Sequence, residues 1–202
     1  MNRSAAPRIL GFEHLASSWQ QKWQCYGIRV MQGDFCVTNQ EVVLTTVLGS
    51  CIAVCIYDPS MGYGGMNHFM LPKLTGDFDR DKPLRYGLFA MEQLINQLWK
   101  SGCKKHNLKL KVIGGGRMID GFSDIGKLNI EFIEQYVKDE KLDLIASDLG
   151  GDYARKLAFF PATGRLLVNR IPSIDTQTEI ITAAVNAKEQ GKFVTQNTVE
   201  LF

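Results

Sequence analysis

The chain has 202 residues, 45% of them hydrophobic and 22% charged, with a formal net charge of +2. That length fits one globular domain, which buries roughly 70% of the surface its unfolded chain exposes and needs no disulfide or metal staple. Short basic clusters such as Lys104-Lys105 and Arg80 to Arg85 are broken by acids or loop residues, the pattern of a solvated surface rather than a nucleic-acid footprint. No stretch approaches the ~18 apolar residues that cross a bilayer, and Pro7, Glu13 and His14 interrupt the start before a signal-peptide core can form. A cytoplasmic location without membrane insertion is therefore expected.

Taken in chain order, residues 1–26 read as an N-terminal extension in which Trp19 and Trp23, four apart, suit one short amphipathic turn packed on the domain. From Gly27 the pattern is strand-like. Ile28 to Val30, Phe35 to Val37 and Val42 to Val47 are β-branched or aromatic runs separated by Gly33-Asp34 and Asn39-Gln40 turns. Cys51 to Tyr57 is apolar on both faces, which predicts a strand with layers above and below it. Gly62 to Gly65 reads as the turn and Met66 to Leu71 as the returning strand, followed by a polar loop from Thr75 to Pro83.

Leu84, Leu88, Met91, Leu94, Ile95 and Leu98 recur at helical spacing, and Ser101-Gly102 stops that helix. Leu108 to Ile113 is a strand running into three glycines, 114 to 116, and Leu128 to Val137 a second helix. Leu142 to Ala146, Leu157 to Phe160 and Leu166 to Ile171 are short strands. Residues 174–190 suit a C-terminal helix and 191–202 a tail with an apolar tip, so that 27–190 form the domain proper. Many short strands, few helices and no regular β-α-β alternation predict a layered α+β fold.

The five cysteines contain no C-x-x-C pair, which suggests neither a disulfide framework nor a zinc ribbon. Cys51 and Cys55 share a strand face yet lie about 13 Å apart on an extended strand, too far for one ion. Of three histidines, only His68 lies inside an apolar strand, between Asn67 and Phe69. A thiol beside an imidazole is a route to a thiolate at neutral pH. Simple hairpin pairing places His68 nearer Cys55 than Cys51. Against that, Cys51 follows Gly49-Ser50 at a strand edge, where backbone can approach a substrate and offer amide donors. Plain burial of both side chains is the competing reading. The glycine triplet fits neither a dinucleotide fingerprint nor a P-loop and reads as a strand-ending loop. Arg155, just past Gly150-Gly151, could bind a carboxylate or cap a surface, and the surface reading is favoured.

The run Thr45-Thr-Val-Leu-Gly-Ser-Cys-Ile-Ala-Val-Cys-Ile-Tyr-Asp-Pro59 resembles the signature of the chemoreceptor glutamine deamidases (CheD). Gly64-Gly-Met-Asn-His-Phe-Met-Leu-Pro72 resembles the second motif of that family, with further agreement in Arg85-Tyr-Gly87, in Lys111 to Gly116 and in Ala146 to Gly151. The resemblance spans about Gly27 to Ile171. It implies a layered β-sandwich flanked by helices and a Cys/His/Thr catalytic set. The nucleophile falls on Cys51, the base on His68 and the orienting residue on Thr45, six positions earlier than Cys51, with Thr46 as the less favoured neighbour. For His68 to reach Cys51 rather than Cys55, the sheet must then twist or bulge.

The implied activity is deamidation of glutamine side chains on methyl-accepting chemotaxis receptors through a thioester, without a cofactor or metal, and with methyl-ester hydrolysis as a side activity. The resemblance also implies docking with a phosphatase-type chemotaxis regulator. A receptor-binding adaptor with incidental catalysis is the rival reading. Ala154 departs from the family, where a glycine is common before the arginine.

Overall fold

The computed structural model describes residues 6–72, 82–118 and 125–171, and the backbone of 199–201. In chain order the elements are β1 (Ser17–Gln20), β2 (Cys25–Arg29), β3 (Phe35–Thr38), β4 (Val42–Leu48), β5 (Ile52–Asp58), β6 (Tyr63–Phe69), α1 (Lys82–Lys100), β7 (Lys109–Gly114), α2 (Ile125–Asp139), β8 (Asp143–Leu149), β9 (Ala154–Phe160), β10 (Arg165–Ile171) and β11 (Val199–Leu201). They form two mixed sheets, ordered β1-β2-β4-β9-β10-β11 and β3-β6-β5-β7-β8. Among the described residues, only β2/β4 in the first sheet and β7/β8 in the second are parallel pairs. Helix α1 packs on β6 and β3, and α2 on β8 and α1, so both helices cover the second sheet. The α+β sandwich flanked by helices is the observed fold. Among the described residues, no helix is long and apolar enough to cross a membrane.

The central strand β5 shows why this sequence stacks layers. Ile52 to Ile56 are all at 0% exposure, and an Ile or Val buried this completely stabilises by ~1.5–3 kcal/mol. Residues directly opposite on neighbouring strands share a face. Asn67, opposite Val54, donates to the Ala90 carbonyl of α1 (3.0 Å), and Phe69, opposite Ile52, meets the Phe132 ring of α2 edge-on at 5.8 Å. Ile52, Val54 and Ile56 therefore face the helices. Ala53 and Cys55, with His68 and Met66 opposite them, face the other sheet.

The β5–β6 hairpin closes earlier than its glycines suggest. Asp58 accepts from the backbone amide and hydroxyl of Ser60 (2.9 and 2.6 Å), and the amides of Met61 and Gly62 reach the Asp58 carbonyl. The turn thus ends at Gly62, and Gly64 and Gly65 are ladder residues opposite Tyr57 and Ile56. This corrects the expected turn at Gly62 to Gly65. His68 consequently lies opposite Ala53, diagonal to both Cys51 and Cys55, through an uninterrupted ladder. No bulge is needed; the one irregularity in this sheet is between β7 and β8, at Leu110/Lys111.

Residues read as an extension contribute to the same body. Ile9 and Phe12 belong to the core, and β1 pairs with β2. Trp19 lies on strand β1 against Tyr26, and Trp23 sits in the following turn against Phe160, which corrects the expected helical turn. The expected helix over 174–190, the loop over 73–81 and most of the tail lie outside the described residues.

Arg155 also departs from expectation. It is fully buried, not on the surface, and its Nη2 donates to Asp148 Oδ1 (2.8 Å) and to the Gly150 carbonyl (2.7 Å). Arg170 shares the same carboxylate at 3.3 Å. Burial tends to raise the Asp148 pKa, but the two guanidinium groups outweigh it and hold the carboxyl below the usual range. The pair joins β8 of one sheet to β9 of the other. Removing one partner of a buried ion pair strands the other charge. Asp148→Ala should therefore lower unfolding free energy by roughly 3–5 kcal/mol in urea titration, whereas a surface pair would move it by at most ~1 kcal/mol.

Candidate active site

Three connections between the sheets gather at one end of the sandwich: 30–34 from β2 to β3, 49–51 from β4 to β5, and 150–153 from β8 to β9. Buried backbone groups must find partners, and here they find each other. The carbonyl of Gly49 accepts from the Gly116 amide (2.9 Å), that of Ser50 from Asn129 Nδ2 (2.8 Å), and that of Cys51 from the Gly115 amide (2.8 Å). Gly150 in turn donates to the Gly114 carbonyl (2.9 Å). Gly114 has φ +127° and lies so close to this loop that a Cβ would stand 2.1 Å from the Cys51 carbonyl oxygen. The glycine triplet is thus the bed of the Cys51 loop.

The Cys51 thiol is half-buried and opens on a cleft of about 400 Å³, which His68 also lines. Val47, Met31, Met70 and Met118 make its apolar wall, with Arg29 and Lys156 at its edge. Cys55, on the same face of the strand, is at 0% exposure within the core. Register leaves the two thiols equivalent relative to His68; burial separates them. A second cavity, of about 510 Å³ between α1 and α2, presents apolar side chains and carboxylates such as Glu131 and Asp139 and holds no cysteine or histidine.

His68 is 6% exposed. Its Nδ1 lies 2.8 Å from the Thr46 hydroxyl and 3.4 Å from the Val30 carbonyl. A carbonyl can only accept, so the neutral ring is best served by a proton on Nδ1, leaving the Nε2 lone pair available. Nε2 is buried and has no hydrogen-bond partner among the described residues.

The hydroxyl that meets the ring belongs to Thr46, not to Thr45, the position the resemblance implies. Successive side chains of a strand point to opposite faces, and in β4 Leu44, Thr46 and Leu48 point between the sheets. Thr45 lies half-exposed at the cleft edge, its hydroxyl donating to the Ile28 carbonyl of the neighbouring strand (3.4 Å).

Burial dominates the protonation of both groups. It pushes the Cys51 thiol up to about 11, against a small opposing effect of its own backbone amide. It pulls His68 down to about 4, against the Val30 carbonyl and the charge of Asp34. Thiol and imidazole are both uncharged at rest.

Sequence reading ranked Thr46 second and missed two neighbours, Asp34 and Gln32. The Cys51 thiol donates to Gln32 Oε1 at 3.7 Å. Asn129 was also missed; fully buried on α2, it accepts from the Leu71 amide (2.8 Å) while donating to the Ser50 carbonyl. A polar residue in the apolar stripe of α2 was the one signal for it.

Because His68 prefers to stay neutral when folded, the unfolded chain takes up its proton first, from pH 6.5 downward, and the folded chain only near pH 4. Stability present above pH 6.5 is therefore lost as pH falls through that window. Between pH 7.5 and 4.5 the loss traceable to this group should be roughly 2–3 kcal/mol. Urea unfolding of wild type and His68→Asn at both pH values reads it as the difference between the two acid losses; equal losses would refute it.

The model of a family described as CheD chemotactic sensory transduction matches residues 70–170. A protein of Methylobacillus flagellatus named probable chemoreceptor glutamine deamidase CheD is 40% identical over 198 residues, covering 94% of this chain and 97% of its own length. Proteins with the same name from Halorhodospira halophila and Caulobacter vibrioides are 45% and 47% identical, covering 77% and 73% of this chain and 74% and 79% of their own lengths. With such similarity along nearly its whole length, and with both motif strands facing one cleft, the chain belongs to the CheD family.

Proposed function

We propose that this protein is a cysteine hydrolase that deamidates glutamine side chains of methyl-accepting chemotaxis receptors to glutamate. One observation carries the mechanism. His68, its ring held from behind by Thr46 and its buried Nε2 unpartnered among the described residues, lines the same cleft as Cys51. The substrate class comes from the names of the relatives.

The Cys51 proton passes to His68 Nε2 as the sulfur attacks the carboxamide carbon. Each group alone resists its charge in this buried setting, but thiolate and imidazolium formed together compensate one another, and Asp34 helps the imidazolium. The tied-back carbonyls of 49–51 orient the loop so that amides at Ser50 and Cys51 serve as donors to the developing oxyanion. The C–N bond breaks, ammonia leaves with the proton from His68, and a thioester remains. Water, deprotonated by His68, then releases glutamate and restores the thiol. A glutamate methyl ester would pass through the same tetrahedral intermediate, so ester hydrolysis is the expected side activity. Reaction on the receptor signalling domain places the protein in the cytoplasm, and a phosphatase-type chemotaxis regulator is a second partner by family resemblance.

Intact-mass analysis of a receptor cytoplasmic fragment tests the reading. Wild type should add about one dalton per modified glutamine and Cys51→Ala none, as a Cys-dependent amide-to-acid conversion requires. Binding without mass change would favour the adaptor. Thr46→Val should lower kcat by about tenfold or more, the value of one buried hydrogen bond lost in the transition state. Thr45→Val should stay within about threefold, since that hydroxyl does not touch the ring; the reverse order would return the orienting role to Thr45.

A further inference from the structure

The turn between β2 and β3 brings one of the chain's own glutamines to the thiol. Its main chain is held closely: the Asp34 amide donates to the Met31 carbonyl (2.9 Å) and Gly33, at φ +91°, completes the reversal. The turn is also stitched to β6 on either side of one residue, His68. The Gly33 amide donates to the His68 carbonyl (2.7 Å), and the His68 amide donates to the Asp34 carbonyl (3.0 Å). The carboxamide of Gln32 therefore enters the cleft from a backbone pinned to His68 itself. Among the described residues lining that cleft, it is the one carboxamide. Its Oε1 lies 3.7 Å from the Cys51 Sγ, within reach of the thiol, whereas His68 Nε2 has no hydrogen-bond partner among the described residues.

We propose that Gln32 is a substrate of its own active site, occupying the glutamine position at rest and being converted there to glutamate by Cys51. The inference rests on the deamidase reading above. Tethering supplies what a receptor glutamine must find by diffusion, since a group held beside its reaction partner acts at high effective concentration. The step balances as in the intermolecular reaction. Sγ bonds to the side-chain carbon of Gln32 as its proton goes to His68 Nε2. The C–N bond then breaks, and nitrogen leaves as ammonia with that proton. Water adds to the thioester, its proton passes through His68 to the leaving sulfur, and the products are a glutamate at position 32 and the Cys51 thiol. No oxidant, metal or cofactor is consumed. The ground-state contact is to the oxygen, so attack requires the Gln32 side chain to turn its carbon toward Sγ. That turn makes self-conversion slow relative to a well-seated receptor glutamine.

The test is peptide mapping by mass spectrometry of the full chain, fresh and after incubation at neutral pH in water enriched in oxygen-18. Residue 32 should become glutamate with one heavy oxygen in wild type. In Cys51→Ala, and in wild type whose Cys51 has been alkylated, conversion should be at least about tenfold slower, because the nucleophile is gone. The same preparations are assayed on the receptor fragment. Gln32 remaining an amide in a preparation that deamidates the receptor would overturn self-conversion and leave the deamidase intact. Equal conversion in wild type and both blocked proteins would mean spontaneous hydrolysis of a Gln-Gly site and overturns the proposal too. Failure on both receptor and Gln32 would bring down the deamidase reading, and this inference with it.

Discussion

A strand that slips by one residue turns every side chain to its opposite face, and in this chain β6 is where that constraint bears most heavily. Its register is set by the turn that Asp58 closes over Ser60, Met61 and Gly62. Because the turn ends where it does, His68 lies opposite Ala53 and looks across at Thr46 on the other sheet, while Asn67 looks the opposite way at α1. One residue of slip would send Asn67 into the cleft and the imidazole into the helix layer. The hydrogen bond between Thr46 and His68 thus ties the two sheets together and holds the ring in place, and both depend on a turn at the far end of the hairpin.

The opposite end of the sandwich solves a different problem. Three chain crossings between sheets would ordinarily leave buried amides and carbonyls unpaired. Here the crossing at Cys51 gives its carbonyls to the glycine triplet and to Asn129, and the crossing at 150–153 gives its own to Arg155 and Arg117. Glycine is needed where backbone meets backbone, as at Gly114 against Cys51. The buried Asp148–Arg155 pair locks the same corner from beneath. The Cys51 thiol can therefore sit on a connecting loop with the precision of a strand, since that loop has little freedom left.

Electrostatically the cleft favours neutrality. Burial pushes the thiol up to about 11 and the imidazole down to about 4, so a lone thiolate or a lone imidazolium is disfavoured and only their joint formation is compensated. Such a site stays quiet until a carboxamide approaches. The carboxamide it already meets is Gln32, carried by a turn whose Asp34 supports the imidazolium charge. Resting thiol, base and occupant are thus organised by one short segment between β2 and β3.

Period-two alternation and helical spacing made most elements legible in the sequence, because they record which faces are buried: β5 with both faces apolar, and α1 with its stripe from Met91 to Leu98. The motif residues Cys51 and His68 could likewise be singled out, and the structure brings both to one cleft. What no local pattern contained was the pairing between distant segments. Adjacent threonines look alike in sequence, and only the facing sheet decides that Thr46 rather than Thr45 reaches the ring. Glycines read as a turn became ladder residues, because an aspartate side chain closed the hairpin earlier. For Arg155 the surface was favoured over a carboxylate partner until Asp148, seven residues away on the other sheet, was folded against it. Sequence by itself determined which surfaces must be buried and which chemistry was present. Tertiary structure alone decided register, partner and access, because each is set by contacts between residues the chain separates.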